Sequence, residues 1–274
     1  MTDQRSGLDL PGLLWTASDL VLGSRCAGCG TPGRLLCSTC RAALDAGILG
    51  QVAPDPCPPN FPTTMAAGSY DPVVRRLVSA YKDHGVWSLR PALAERAWLA
   101  LAALLAIHGP DGHQPVLVWL PSRASAVRRR GLDTTRALAS SMVRTTRRHG
   151  LHLPVRQGLR LVRRVDDQAG LHAEERAANL AGALAATPRV VTGRSVVLFD
   201  DVVTTGASLA EAARAIRAAG GDVVGAVVIA ATARRQPRSP RATVAPRDTS
   251  DRPGIGTRAG DPGTAVHRSA HEDR

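Results

Sequence analysis

The sequence predicts an α/β fold: a parallel sheet flanked by helices, preceded by a small cysteine-rich module and followed by a tail. Three observations support this. Short, continuous apolar runs recur through the middle of the chain, as expected for strands buried on both faces. An amphipathic helix pattern lies directly between two of them. The composition also changes sharply near residues 62 and 233, giving segments 1–62, 63–233 and 234–274.

All five cysteines fall in the first segment, which ends in the proline-rich linker VAPDPCPPNFP. Cys26-Ala-Gly-Cys29 and Cys37-Ser-Thr-Cys40 are two CxxC knuckles separated by seven residues. Two knuckles this close suit a tetrahedral four-thiolate zinc site, with Gly28 and Gly30 easing the first turn. Four thiolates leave no open position, so such a zinc would be structural. Four reduced thiols, or a redox pair, are the competing readings. A helix is expected over Cys40–Ala46, and Cys57 has no partner in the pattern and reads as a free thiol.

Strands are predicted at Val116–Leu120, Ser195–Phe199 and Asp222–Ala230. Between the last two, Leu209, Ala212, Ala213 and Ile216 repeat at i, i+3, i+4, i+7, which predicts a helix over Ser208–Ala219 stopped by Gly220 and Gly221. Strand, loop, helix and strand make a βαβ unit. Further helices are expected over Pro72–Lys82, Pro91–Ile107, Thr134–Arg148 and Ala173–Ala185. The apolar run Ala97–Ile107 falls short of the roughly 20 residues that span a bilayer, so it reads as a core helix. The N-terminus does not read as a signal peptide, and a cytoplasmic location with no membrane insertion is expected. Residues 234–274 are poor in large apolar side chains and hold nine Arg against five acids, so they predict a disordered basic tail.

The sharpest local pattern is Val196–Ser208, VVLFDDVVTTGAS. An apolar strand delivers Asp200 and Asp201, and a small-residue loop then opens a helix. Backbone N–H groups around Thr204, Thr205, Gly206, Ala207 and Ser208 would meet a phosphate at the positive end of that helix. The hydroxyls of Thr204, Thr205 and Ser208 add donors. The paired carboxylates could accept hydrogen bonds from a ribose diol, or hold Mg2+ directly or through water. A buried strand and turn with two capping acids is the bland alternative.

This segment closely resembles the 5-phosphoribosyl 1-diphosphate (PRPP) signature of type I phosphoribosyltransferases. YDPVVRRLVSAYKDHG from Tyr70, LPSRASAVRRRG from Leu120, LVRRVDDQAGLHAEERAANL from Leu161 and the cysteine knuckles add to the match. Together they resemble the ComF family, phosphoribosyltransferase-like proteins linked to competence for DNA uptake, over residues 20 to 233. The resemblance implies a type I phosphoribosyltransferase-like sheet with an N-terminal zinc-binding module. It also implies that Asp200 and Asp201 contact ribose hydroxyls and that Val203–Ser208 hold the 5-phosphate. Ser122 and Arg123 fall where the diphosphate binds, and Mg2+ would accompany PRPP. Lys82 and Arg130 match further family positions, while Gln168, Arg176 and Asn179 match a segment that closes over substrate. One departure stands out: Leu132, Asp133 and Thr134 follow Gly131 where the family has Phe-Asn-Gln, so a different ligand or lost activity is conceivable.

Charge adds a second theme. Of 35 basic residues, Lys82 is the single lysine, the rest being Arg. Residues 121–176 hold 13 Arg against five acids. That could serve single-stranded DNA, yet the stretch has no aromatic residue on which bases would stack. His84 and His172 lie in or near family motifs. Three functions are consistent with the sequence: a transferase that moves phosphoribosyl from PRPP to a nitrogen acceptor and releases pyrophosphate; a competence factor working with single-stranded DNA and a DNA-uptake helicase; and a PRPP-sensing regulator. The acceptor and the oligomeric state stay open.

Overall fold

The computed structural model describes residues 24–108, 114–163 and 173–232. Gln168, His172 and the segment 234–274 lie outside the described residues. The first helix, α1 (Ser38–Asp45), follows the second cysteine knuckle, and its N-cap Cys37 accepts from the Cys40 N–H. It starts and stops slightly earlier than the spacing predicts, because the knuckle itself supplies the cap. Strands β1 (Gly50–Val52) and β2 (Thr64–Ala66) follow. Helix α2 (Pro72–Asp83) begins with Asp71 accepting from the N–H groups of Val73 and Val74, and Pro72 sits at the first helical position. A 3-10 turn leads into α3 (Arg90–His108). Composition alone would let α3 cross a membrane, but its buried residues, Leu93, Ala97, Leu101 and Leu104 among them, belong to the core.

Next come β3 (Val116–Trp119), α4 (Ala124–Arg130), α5 (Thr134–Arg148), β4 (Val155–Arg156) and β5 (Leu159–Leu161). Helix α6 (Ala173–Leu180) is shorter than the 173–185 span predicted. Gly182 takes a left-handed conformation (φ 68°), and the residues beyond it form β6 (Leu184–Ala186), which pairs antiparallel with β5. The chain ends its described course with α7 (Pro188–Val191), β7 (Ser195–Val203), α8 (Ala207–Ala218) and β8 (Asp222–Ala231).

Six strands form one sheet in the order β1-β2-β8-β7-β3-β4, with β1 antiparallel and the other neighbours parallel. The expected βαβ unit is β7-α8-β8. From β3 the chain steps outward to β4, whereas from β7 it steps the other way to β8. The crevice beyond the carboxyl ends of β3 and β7 is therefore a topological switch point, where open α/β sheets bind ligands.

Each sheet face has its own core. Val197 and Phe199 of β7 pack with the side of the sheet that holds Leu77, Leu93, Leu101 and Leu138 from α2, α3 and α5. Val196 and Leu198 pack with Leu209, Ala213 and Ile216 of α8 and with Leu159 and Leu184 of the β5–β6 hairpin. That hairpin is fastened to α8 by Glu211, a buried carboxylate that accepts the Leu184 N–H and pairs with Arg214.

The cysteine module docks on the same unit. Buried Arg96 of α3 donates to the carbonyls of Asp45 (3.1 Å), Gly47 (2.9 Å) and Ala67. A Cβ on Gly47 would come within 2.8 Å of the Gly68 backbone, so the two segments touch there without side chains. Arg41 of α1 bridges Asp45 and Glu95.

Candidate functional site

Strand β7 runs four residues past its predicted end at Phe199, so Asp200 and Asp201 lie within the strand and not after it. Neighbouring side chains in a strand point to opposite faces. The two acids accordingly leave the strand on opposite sides, although their carboxyl groups stay close enough to share a hydrogen bond. Asp200 lines a cleft of about 120 Å³ with Lys82, Leu120, Pro121, Ser122, Thr135, Leu161, Leu180, Leu184 and Ser208. Asp201 is buried, and its Oδ2 lies 2.6 Å from the Nζ of Lys82, in the last turn of α2. Its Oδ1 accepts the Val202 N–H, while Asp200 Oδ1 accepts the Asp201 N–H.

The electrostatics follow from this split. Burial tends to raise both carboxyls. For Asp200 the charge of Asp201 adds to burial and holds it well above the usual carboxylate range. For Asp201 burial is the largest single influence, but the charge and hydrogen bond of Lys82, a hydrogen bond from Asp200 and the Val202 N–H together outweigh it and hold the carboxyl below that range. Lys82 is raised in turn, chiefly by the charge of Asp201. Tyr70, whose N–H donates to the Ala231 carbonyl, has its phenol pushed up by burial and then by Asp201. Tyr70 opens the same family-like segment that carries Lys82, and the parallel approach of the chain to the end of β8 brings it into this group.

Val203 ends β7 and is buried; beyond it Thr204 is exposed and Thr205 half-buried. Gly206 is the left-handed N-cap of α8 (φ 75°), and Ala207 and Ser208 form its first turn. The helix starts one residue before the predicted Ser208. Its leading N–H groups have no partner inside the helix and face outward at the positive end of the dipole. From behind, Pro54 and Phe61 of the proline-rich linker press on Gly206, where a Cβ would come within 2.8 Å of either. Arg217 of α8 donates to the Asn60 carbonyl and ties the same linker down.

On the β3 side, Ser122 Oγ donates to Asp133 Oδ1 (3.2 Å), and Asp133 is the N-cap of α5, accepting the Arg136 N–H. The departure from Phe-Asn-Gln thus puts a carboxylate in a capping position that either Asn or Asp fills well. Arg123 is the N-cap residue of α4. Arg130 ends that helix and pairs with Asp83 at 2.8 Å, and Gly131 supplies the left-handed cap (φ 71°). Asn179 sits near the end of α6, its carbonyl accepting from Arg163, and Arg176 lies in the same helix. His84 follows α2 as its exposed C-cap. The cleft therefore gathers Lys82, Ser122, Asp200 and Ser208, whereas Asp201 stands behind Lys82.

The four knuckle cysteines form a second centre. Their sulfurs all lie within 4.8 Å of one another. Cys29 Sγ and Cys37 Sγ are 3.7 Å apart. A tetrahedron of sulfurs about 2.3 Å from a central ion has edges of about 3.8 Å, so the donor set fits a metal. The Cys37 N–H donates to Cys26 Sγ and the Cys40 N–H to Cys37 Sγ. Thr31 holds the exposed Cys29 thiol down at about 6, whereas burial pushes Cys40 up. A Cβ on Gly28 would meet Cys40 Sγ at 2.6 Å, which explains the glycine in the first knuckle. Cys57 is exposed and stands apart.

Residues 126–249, which carry the switch-point cleft's β7, the loop after it and α8, match the family described as phosphoribosyl transferase domain. The match leaves out the cysteine module and Lys82. Over 38 residues the chain is 63% identical to an orotate phosphoribosyltransferase of Pyrobaculum islandicum, a stretch covering 14% of this chain and 20% of that enzyme.

Proposed function

We propose that the protein binds PRPP and transfers its phosphoribosyl group to a nitrogen acceptor, releasing pyrophosphate, in a ComF-like protein whose N-terminal knuckles hold a structural zinc. The observation that carries this reading is the Val203–Ser208 loop at the start of α8, next to Asp200 in the cleft beyond β3 and β7. The first-turn N–H groups of α8 and the Ser208 hydroxyl would hold the 5-phosphate. Asp200 would accept from a ribose hydroxyl. Ser122 lies where the diphosphate would rest, with the ammonium of Lys82 in the same cleft. Mg2+ arriving with PRPP would offset charge on the departing diphosphate. Leu161, Leu180 and Leu184 give the opposite wall an apolar surface for the acceptor.

The test is thermal stabilisation of the full chain by PRPP, nucleotides and oligonucleotides, with pyrophosphate release measured across a nucleobase panel. Stabilisation by PRPP and turnover, both lost in Asp200→Asn, are expected. Stabilisation without turnover points to a PRPP sensor. Salt-dependent single-strand binding that survives Asp200→Asn, with no response to PRPP, overturns the reading in favour of a DNA-uptake factor.

A further inference from the structure

The paired acids invite a divalent cation, but the residues present do not fit one held by both carboxylates. Asp201 Oδ2 already has Lys82 Nζ at 2.6 Å, and Asp201 Oδ1 is taken by the Val202 N–H. Only Asp200 of the pair lines the cleft. The lysine is delivered from 119 residues away, by a helix whose start is fixed by Asp71 and Pro72. The contact is thus a product of the fold and not of local sequence. Lys82 itself also lines the cleft, so its ammonium stands between the buried acid and any ligand.

We infer that Lys82 is the resident cation of the acidic pair: its ammonium takes the place against Asp201 that a divalent ion would need, so the site receives a 5-phosphorylated ribose without a metal of its own. This rests on the ligand class proposed above. A divalent ion then enters only on a ligand's diphosphate. The ammonium is a compact point charge with three donors, so it can keep Asp201 and still offer N–H groups to the cleft. A guanidinium fork would need more room. This accounts for a lysine at the one position where a strongly Arg-biased chain keeps one.

The experiment uses the full zinc-loaded chain in divalent-free buffer. Mn2+ is the probe, because it favours carboxylates over thiolates. Its binding is read by water-proton relaxation. Wild type should bind Mn2+ weakly, and Lys82→Met about tenfold or more tightly, since the pair then lacks its cation. Adding Asp201→Asn to Lys82→Met should return binding to the wild-type level. Equal Mn2+ binding by wild type and Lys82→Met overturns the inference. Should Lys82→Met fail to fold, wild type decides by itself: ribose 5-phosphate should stabilise it equally with and without Mg2+, and stabilisation that requires Mg2+ overturns the inference. If ribose 5-phosphate binds under neither condition, the ligand class fails, while the Mn2+ comparison still judges Lys82.

Discussion

The cysteine cluster and the acidic strand end are both gatherings of ionisable groups, assembled in opposite ways. The four thiols come from within 15 residues of chain, Cys26 to Cys40, and are brought together by two tight turns and one helix cap. Lys82 and Asp201 come from a helix and a strand 119 residues apart. The first centre is built so that an ion taken from solution would satisfy its charges. The second carries its own counter-ion and needs the whole fold to position it. What is local depends on a ligand, and what is non-local depends on packing.

Metal removal should separate the two most strongly. About one zinc per chain is expected by elemental analysis, lost in Cys37→Ser together with the order of the knuckles, because structural zinc typically contributes on the order of 10 kcal/mol to such folds. A metal-free preparation with intact knuckles would break the contrast.

The acids provide a smaller effect with opposite signs. Asp201→Asn strands the Lys82 ammonium and should cost about 2 kcal/mol at neutral pH, less than for a fully buried pair because Lys82 is partly exposed. Asp201 has its folded pKa lowered, so its contribution is present above the ordinary value of 3.8 and fades as pH falls through the folded value. Asp200 has its folded pKa raised, so its ionisation costs stability as pH climbs from 3.8 toward the folded value. Asp200→Asn should therefore gain on wild type as pH rises toward neutrality, while losing ligand. Urea unfolding from pH 4 to 8 reads both, and a common sign for the two variants would refute the division between them.

The smallest effect concerns Gly206. Alanine there keeps the fold but adds about 1 kcal/mol of left-handed strain. It also pushes on Pro54 and Phe61, so ligand-induced stabilisation should fall more than the melting temperature of the free protein.

Much of this was readable beforehand, for physical reasons that differ by element. Strands β3, β7 and β8 announce themselves because parallel strands buried on both faces need unbroken apolar runs. Helix α8 has an apolar stripe and α5 closes at Arg148, as its pattern predicts. Strands β1, β2, β4, β5 and β6 leave little trace: each has two or three residues, too few for a period to register. Gly182 was a legible stop for α6 that the alanine-rich run around it masked. In the site, the loop from Val203 to Ser208 is contiguous and so visible. The pairing of Lys82 with Asp201 has no local signal, although the departure of Asp200 and Asp201 from opposite sides of β7 follows from the two-residue period of any strand.

The short strand β1 has a consequence for how the molecule behaves among its own kind. Residues 50–52 pair antiparallel along β2 and form that edge of the sheet. Without them, β2 would present its open N–H and C=O groups as a template for another chain. The stretch between the knuckles and the α/β domain thus serves as a hem as well as a tether: β1 becomes the edge itself, and with three residues it offers a neighbouring molecule only a short template.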